Sequence, residues 1–216
     1  IKGLYERAGV VETNDGTIGS LTMIGTVSPA GGNFDEPVTQ STLATVKCFL
    51  GLSSDRAYKR FYPAVDPLMS WSRYLRQLAP WFDKHLQAGW TTRVEEMLSL
   101  LRRGDAVLQM MQVTGEEGVT LEDFVTHQKA LFLDMVYLQQ DAFDPVDASV
   151  PLERQKLTFD KVHDLVSRRY TFKDKEAARG YFTHLTALFK NFNYTAQEAP
   201  GYGAILQQIE TLAKAP

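Results

Sequence analysis

Cysteine is almost missing from these 216 residues, and Cys48 stands alone. No internal disulfide can form, which excludes a stapled secreted scaffold and suits a reducing compartment. Set in the apolar run TVKCFL, the thiol is expected to be structural and buried. A basic excess is missing too: 23 Lys and Arg stand against 26 Asp and Glu, a formal charge of −3. That balance gives no electrostatic case for nucleic acid or an anionic membrane surface. No apolar run approaches the roughly 18 residues of a membrane span, and the opening stretch lacks the form of a secretory leader, so no direct membrane insertion is expected.

Chemistry is sparse as well. There is no G-x-x-x-x-G-K-[ST] sequence, and hence no loop whose backbone N–H groups and lysine could wrap phosphates. His85, His127, His163 and His184 are dispersed, none with the i, i+4 partner or Cys neighbour of a zinc site, so each is expected in solvent or satisfied in a core. Ser20 and Ser28 have neither an elbow motif nor an evident base. The run Gly115-Glu116-Glu117-Gly118, with Glu122 and Asp123, offers carboxylates, most simply as the solvated tip of an inter-helix turn. By itself the chain is expected to hold no catalytic residue and no metal.

What the sequence does contain is length enough for a sizeable core and a clear change of pattern near its first third. Residues 4–9 read as the last turn of a helix closed by Gly9, and a chain opening at Ile1 is expected to be a piece of a longer protein. Asn14-Asp15-Gly16 is a hairpin turn signal. Residues 21–27 are apolar and β-favouring without alternation, which predicts a strand covered on both faces. Residues 28–37 then hold Pro29, Gly31, Gly32, Asn33, Asp35 and Pro37, a density that permits no regular element and demands special backbone angles. Such a loop is either a surface connection or a segment lying against a ligand or neighbouring subunit. A short helix over 39–45, a second buried strand over 45–50 and a short helix over 54–60 complete this part.

Tyr62 to Pro67, with prolines at two of six positions, marks a domain boundary; residues 1–67 and 68–216 are the two expected domains. Everything after it reads as helix. Residues 71–86 carry apolar side chains at helical spacing around Pro80. A capping box at Thr92 opens a helix expected to close at Gly104, with another over 105–113. Thr120 opens a further one, whose buried face carries Phe124, Leu131, Leu133, Met135, Val136 and Leu138. Pro151 begins a helix to about Arg169, and two more span 173–192 and 202–214.

The wording carries more than the pattern. Gly19-Ser20-Leu21-Thr22-Met23-Ile24-Gly25-Thr26-Val27-Ser28-Pro29, Gly31-Gly32-Asn33-Phe34 and Glu36-Pro37-Val38-Thr39-Gln40 resemble the catalytic A subunit of V-type and archaeal A-type rotary ATPases. The resemblance recurs at Tyr62-Pro63-Ala64-Val65-Asp66-Pro67 and at Leu138-Gln139-Gln140-Asp141-Ala142-Phe143-Asp144-Pro145-Val146-Asp147. It departs at the boundary, where the wording from Tyr62 through Ser70, Ser72 and Arg73 is closer to the beta subunit of F-type synthases. Both families place an aromatic against adenine at that point, and the departure bears on lineage and on whether protons or sodium are pumped.

The resemblance implies a fold: mainly α with a small β portion, the remnant of an α/β (RecA-like) nucleotide-binding domain followed by a C-terminal helical bundle. It also implies that Tyr62 and Phe143 flank the adenine of ATP or ADP, while the phosphate loop and Mg2+ ligands lie upstream. Glu116 and Glu117 would then be a mobile, rotor-facing contact. Implied partners are the non-catalytic B subunit, in an alternating hexameric ring, and the central stalk. The implied location is cytoplasmic and peripheral to the membrane. The full-length subunit would be an ion-translocating ATPase; the fragment alone would be inactive and without bound nucleotide. The competing readings are a non-catalytic nucleotide-binding ring subunit and a purely structural helical interaction domain.

Overall fold

The structure is a computed structural model and describes residues 1–214. It divides into two compact units, one of Ile1–Leu50 with Ser70–Tyr74, the other of Gly51–Met69 with Leu75–Pro216.

The first unit begins with a single helical turn, α1 (Lys2–Tyr5), ended at Glu6 rather than at Gly9, which instead starts β1 (Gly9–Glu12). Strand β1 pairs antiparallel with β2 (Ile18–Leu21), and Gly16 takes φ +80° in the connecting turn, as the Asn-Asp-Gly signal predicts. Beyond Leu21 the expected buried strand does not form. Residues 22–27 have no regular structure and Ile24 is 89% exposed. A strand covered on both faces needs a neighbour on each edge and a layer over each face, and among the described residues the β1–β2 hairpin has only itself.

The Pro/Gly loop behaves as its composition demands. Gly31 and Gly32 take φ of +62° and +72° in a short turn over Ala30–Gly32, and the Asn33 side chain accepts from the Asp35 N–H. Pro37 then opens α2 (Pro37–Thr45), where its fixed φ suits a first turn. The 45–50 run contributes only β3 (Cys48–Phe49), paired with β4 (Trp71–Ser72), so Trp71 belongs to a strand and not to a helix. Phe49 sits between Phe34 and Trp71, with centroids 6.1 and 6.2 Å away. Cys48 is exposed, against expectation: a two-residue strand in a two-stranded sheet has too little structure around it to bury its alternate face.

In the second unit, α3 (Ser54–Tyr58) is capped by Ser53, whose hydroxyl accepts from the Arg56 N–H. The apolar stretch 71–86 is divided: α4 (Tyr74–Gln77) stops before α5 (Ala79–His85), and Pro80 lies in the first turn of α5. Next come α6 (Trp90–Thr114), α7 (Leu121–Leu133) continued by a π-turn over Asp134–Leu138, α8 (Leu152–Ser167), α9 (Lys175–Tyr194) and α10 (Tyr202–Leu212). Thr120 caps α7 by accepting from the Asp123 N–H.

Helix α6 does not end at Gly104. A Cβ on that residue would stand 2.2 Å from the Ala130 Cβ, so the glycine is there to let α6 and α7 approach, and the helix passes straight through. Helix α9 shows the packing rule most plainly. Ala178, Phe182, Leu185, Phe189 and Phe192 recur at helical spacing and are all buried. They meet Phe132 of α7, which lies edge-on to Phe189 at 5.2 Å. Phe124, Leu133 and Val136 share this core, whereas Leu131, assigned to the same face, is 40% exposed.

Candidate functional site

Both aromatic candidates lie in the second unit. Tyr62 sits in a segment closed by local hydrogen bonds. The Ser53 N–H donates to the Ala64 carbonyl at 3.0 Å, and the Asp66 N–H to that of Gly51 at 2.8 Å. This segment is tied to the one that carries Phe143, about eighty residues on. Arg56 makes a two-pronged ion pair with Asp134, both contacts 2.8 Å, and packs over the Phe61 ring. The Gln139 amide donates to the Arg60 carbonyl at 3.1 Å. Asp134 and Gln139 open and close the π-turn, whose wider ring, closed by the Gln139 N–H on the Asp134 carbonyl at 2.9 Å, ends α7 at this junction.

Phe143 stands on a loop braced by carboxylates. Asp141 accepts from the Phe143 N–H at 3.0 Å, Asp144 accepts from the N–H groups of Val146 and Asp147, and Asp147 reaches back to accept from the Asp141 N–H at 2.7 Å. The loop is thereby fixed while its aromatic is not covered: Phe143 is 88% exposed and Tyr62 41% exposed. Neither ring contacts the other or any aromatic ring among the described residues. Two exposed π faces on tied segments are what a flat heteroaromatic would need, since stacking requires an open face and little side-chain ordering.

The acidic tip is built differently from expectation. Gly115 takes φ +76° to end α6, and a Cβ on Gly118 would overlap the Thr114 hydroxyl, so the two glycines serve a tight turn and do not loosen it. Lys175 donates to the carbonyls of Glu116 and Val119 at 2.6 and 2.7 Å, and Arg179 pairs with the Glu116 carboxylate. Glu116 and Glu117 are both exposed. The tip is therefore surface-borne but clamped to α9, a contact that spacing along the chain could not reveal.

The histidines divide as expected. His85 stacks on Trp81, His127 meets the Gly104 carbonyl, His163 lies 2.7 Å from Glu96, and His184 is exposed. Among the described residues no three His, Cys, Asp or Glu side chains gather where a metal ion could be held. No helix among them is long and apolar enough to cross a membrane.

Comparison with known proteins bears on both units. Residues 1–72 match the nucleotide-binding domain of the ATP synthase alpha/beta family, and residues 79–175 match the C-terminal domain of V and A type ATP synthase. The V-type ATP synthase alpha chain of Chlamydia pneumoniae is 46% identical over 193 residues, which is 89% of this chain and 32% of that protein. The alpha chain of Treponema denticola is 46% identical over 195 residues, 90% of this chain and 31% of that one. The alpha chain of Protochlamydia amoebophila is 41% identical over 212 residues, 98% and 36% respectively.

The chain belongs to the V-type ATP synthase alpha-chain family.

It spans about a third of the length of these relatives and comprises a piece of the nucleotide-binding domain followed by the helical C-terminal domain. A solved ATP synthase subunit, NeqB from Nanoarcheaum equitans, matches with a TM-score of 0.62 at 19% identity, covering 78% of this chain and 40% of that one, a likeness of fold. A non-catalytic ring subunit is not favoured, since the relatives described here are alpha chains.

Proposed function

We propose that this chain supplies the adenine wall and the rotor-facing tip of the alpha chain of a rotary ATPase. In that reading the full-length chain hydrolyses or makes ATP with Mg2+ and couples the reaction to proton or sodium transport. The carrying observation is Phe143. Burying a phenyl ring is worth about 1.5–3 kcal/mol, yet this one is held out in solvent on a loop braced by three aspartates. A partner that arrives from solution with its own flat apolar face, adenine, would recover that stabilisation. Tyr62 is the second stacking partner, on the segment that Gln139 and Arg56 tie to the same region.

The phosphate and magnesium chemistry belongs, in this reading, to other parts of the full alpha chain, because the sequence here has no phosphate-binding loop and its described carboxylates and histidines form no metal site. The proposed boundary between the nucleotide-binding and helical domains is Pro67. The proposed setting is a hexameric ring alternating with B subunits around a central stalk, peripheral to the membrane on its cytoplasmic side. Glu116 and Glu117 face the stalk, acting through surface charge.

The test is steady-state kinetics and nucleotide affinity in the assembled enzyme. Tyr62→Ala or Phe143→Ala is expected to weaken ATP binding by about 1–3 kcal/mol for each stacking partner lost, raising KM more than it lowers kcat. Variants that lose kcat at unchanged affinity would overturn the adenine assignment.

A further inference from the structure

The loop that presents Phe143 rests on one buried carboxylate. Asp147 is 5% exposed, and its Oδ2 accepts from the Asp141 N–H at 2.7 Å. Its own carbonyl accepts from the Gln140 amide at 3.3 Å. Asp141 in turn accepts from the Phe143 N–H, so the carboxylate of Asp147 fixes the residue that fixes the ring.

Asp147 also lines an open cleft of about 150 Å³, together with Gln139, Arg154, Thr158 and Asn193. Arg154 ties one wall of it to α9. Arg154, 7% exposed, donates to the Phe192 and Asn193 carbonyls at the end of α9 and lies across the rings of Phe192 and Tyr202. These bonds use Nη2 of the guanidinium, whose charge also acts on Asp147 from a distance, without a direct ion pair between the two. Close packing does not support the loop from the cleft side. Hydrogen bonds hold it instead, and among them the one from the Asp141 N–H to Asp147 reaches a buried side chain.

We infer that Asp147 is a positioning residue for the base-stacking ring of Phe143, holding the loop at the height where that ring can meet adenine. The inference rests on the adenine reading of Phe143. Burial makes the choice of a carboxylate here expensive unless its acceptor oxygens are used, and a buried acceptor that bonds a backbone N–H specifies one loop conformation. An apolar residue at 147 would leave the Asp141 N–H unpaired beside the cleft and release the loop.

ADP affinity, measured by calorimetry in the assembled enzyme, tests this with Phe143→Ala, Asp147→Ala, Asp147→Asn and the double variant F143A/D147A. Phe143→Ala is expected to weaken binding by about five- to a hundredfold. Asp147→Ala should weaken it by about three- to tenfold and add nothing once the ring is gone, because both act through one contact. Asp147→Asn, which keeps an acceptor oxygen, should stay within about twofold of the parent, and kcat should change less than KM throughout. Should Asp147→Ala fail to assemble, Asp141→Ala removes the acceptor for the Phe143 N–H without emptying a buried position and should give the same non-additive loss. Full additivity with Phe143→Ala, or no effect of the Asp147 and Asp141 variants while Phe143→Ala weakens binding, would overturn the positioning role and leave the adenine reading standing. An unchanged affinity for Phe143→Ala would overturn both.

Discussion

Single residues separate what spacing announces from what only packing decides. Gly104 follows a helical run and precedes Asp105, and at that position a glycine reads as a helix end. In the fold it lies inside a 25-residue helix, and the space its missing Cβ leaves is taken by Ala130, from a helix that a sequence window around Gly104 does not contain. Cys48 illustrates the reverse error: apolar neighbours in sequence promised burial that a two-residue strand could not deliver. The glycine makes a prediction at its own scale. Gly104→Val must push α6 and α7 apart or distort Ala130, and overpacking of this kind costs about 1–3 kcal/mol, with little helix-propensity gain from a β-branched residue. Thermal unfolding followed by helical circular dichroism should show a clear loss, about 2 kcal/mol; an unchanged midpoint would mean that the helix crossing is not tight. Ala130→Gly in the same chain should recover part of the loss.

Among elements, legibility follows how much of the stabilising environment lies within the element itself. Helix α9 announces itself because its stripe of Ala178, Phe182, Leu185, Phe189 and Phe192 is periodic in sequence and buried in the fold. The run over 21–27 does not, because a two-faced strand is defined by neighbours that the run does not encode. The π-turn over Asp134–Leu138 was invisible for the same reason, since its boundary residues are chosen for Arg56 and Arg60 far back in the chain. Wording alone singles out Tyr62 and Phe143 as candidates; the bracing of the Phe143 loop and the clamp on the acidic tip it does not reveal. That clamp carries the element-scale prediction. Reversing charge at Glu116 and Glu117 should disturb association with the central stalk or the torque delivered and leave nucleotide affinity within about twofold, whereas Arg179→Ala should loosen the turn while leaving both carboxylates in place. Rotor-binding and ATP-binding assays on the assembled enzyme separate the two; a large loss of nucleotide binding with normal assembly would count against the rotor-facing role.

For the whole molecule, the question is how much of a nucleotide site this chain can be by itself. Two stacking aromatics offer at most about 2–6 kcal/mol in gross interaction. Association at the 1 M standard state costs an estimated 4 kcal/mol or more in lost freedom before any loop is ordered. The difference cannot reach the roughly 4 kcal/mol that a Kd of about 1 mM requires. Phosphate contacts would have to make up the shortfall, and the sequence here offers no phosphate loop to make them. The isolated chain is therefore expected to bind ADP or ATP no tighter than about 1 mM and to show no Mg2+-dependent turnover. Linkage gives a sensitive check, because 1 mM nucleotide at such a Kd stabilises the fold by at most about 0.4 kcal/mol, too little to move Tm appreciably. Calorimetric titration, a phosphate-release assay and thermal unfolding with and without nucleotide are the measurements. Micromolar binding, a clear rise in Tm, or turnover that disappears on denaturing the chain would show that this piece carries phosphate-handling groups of its own, and the division of labour proposed for the alpha chain would fall.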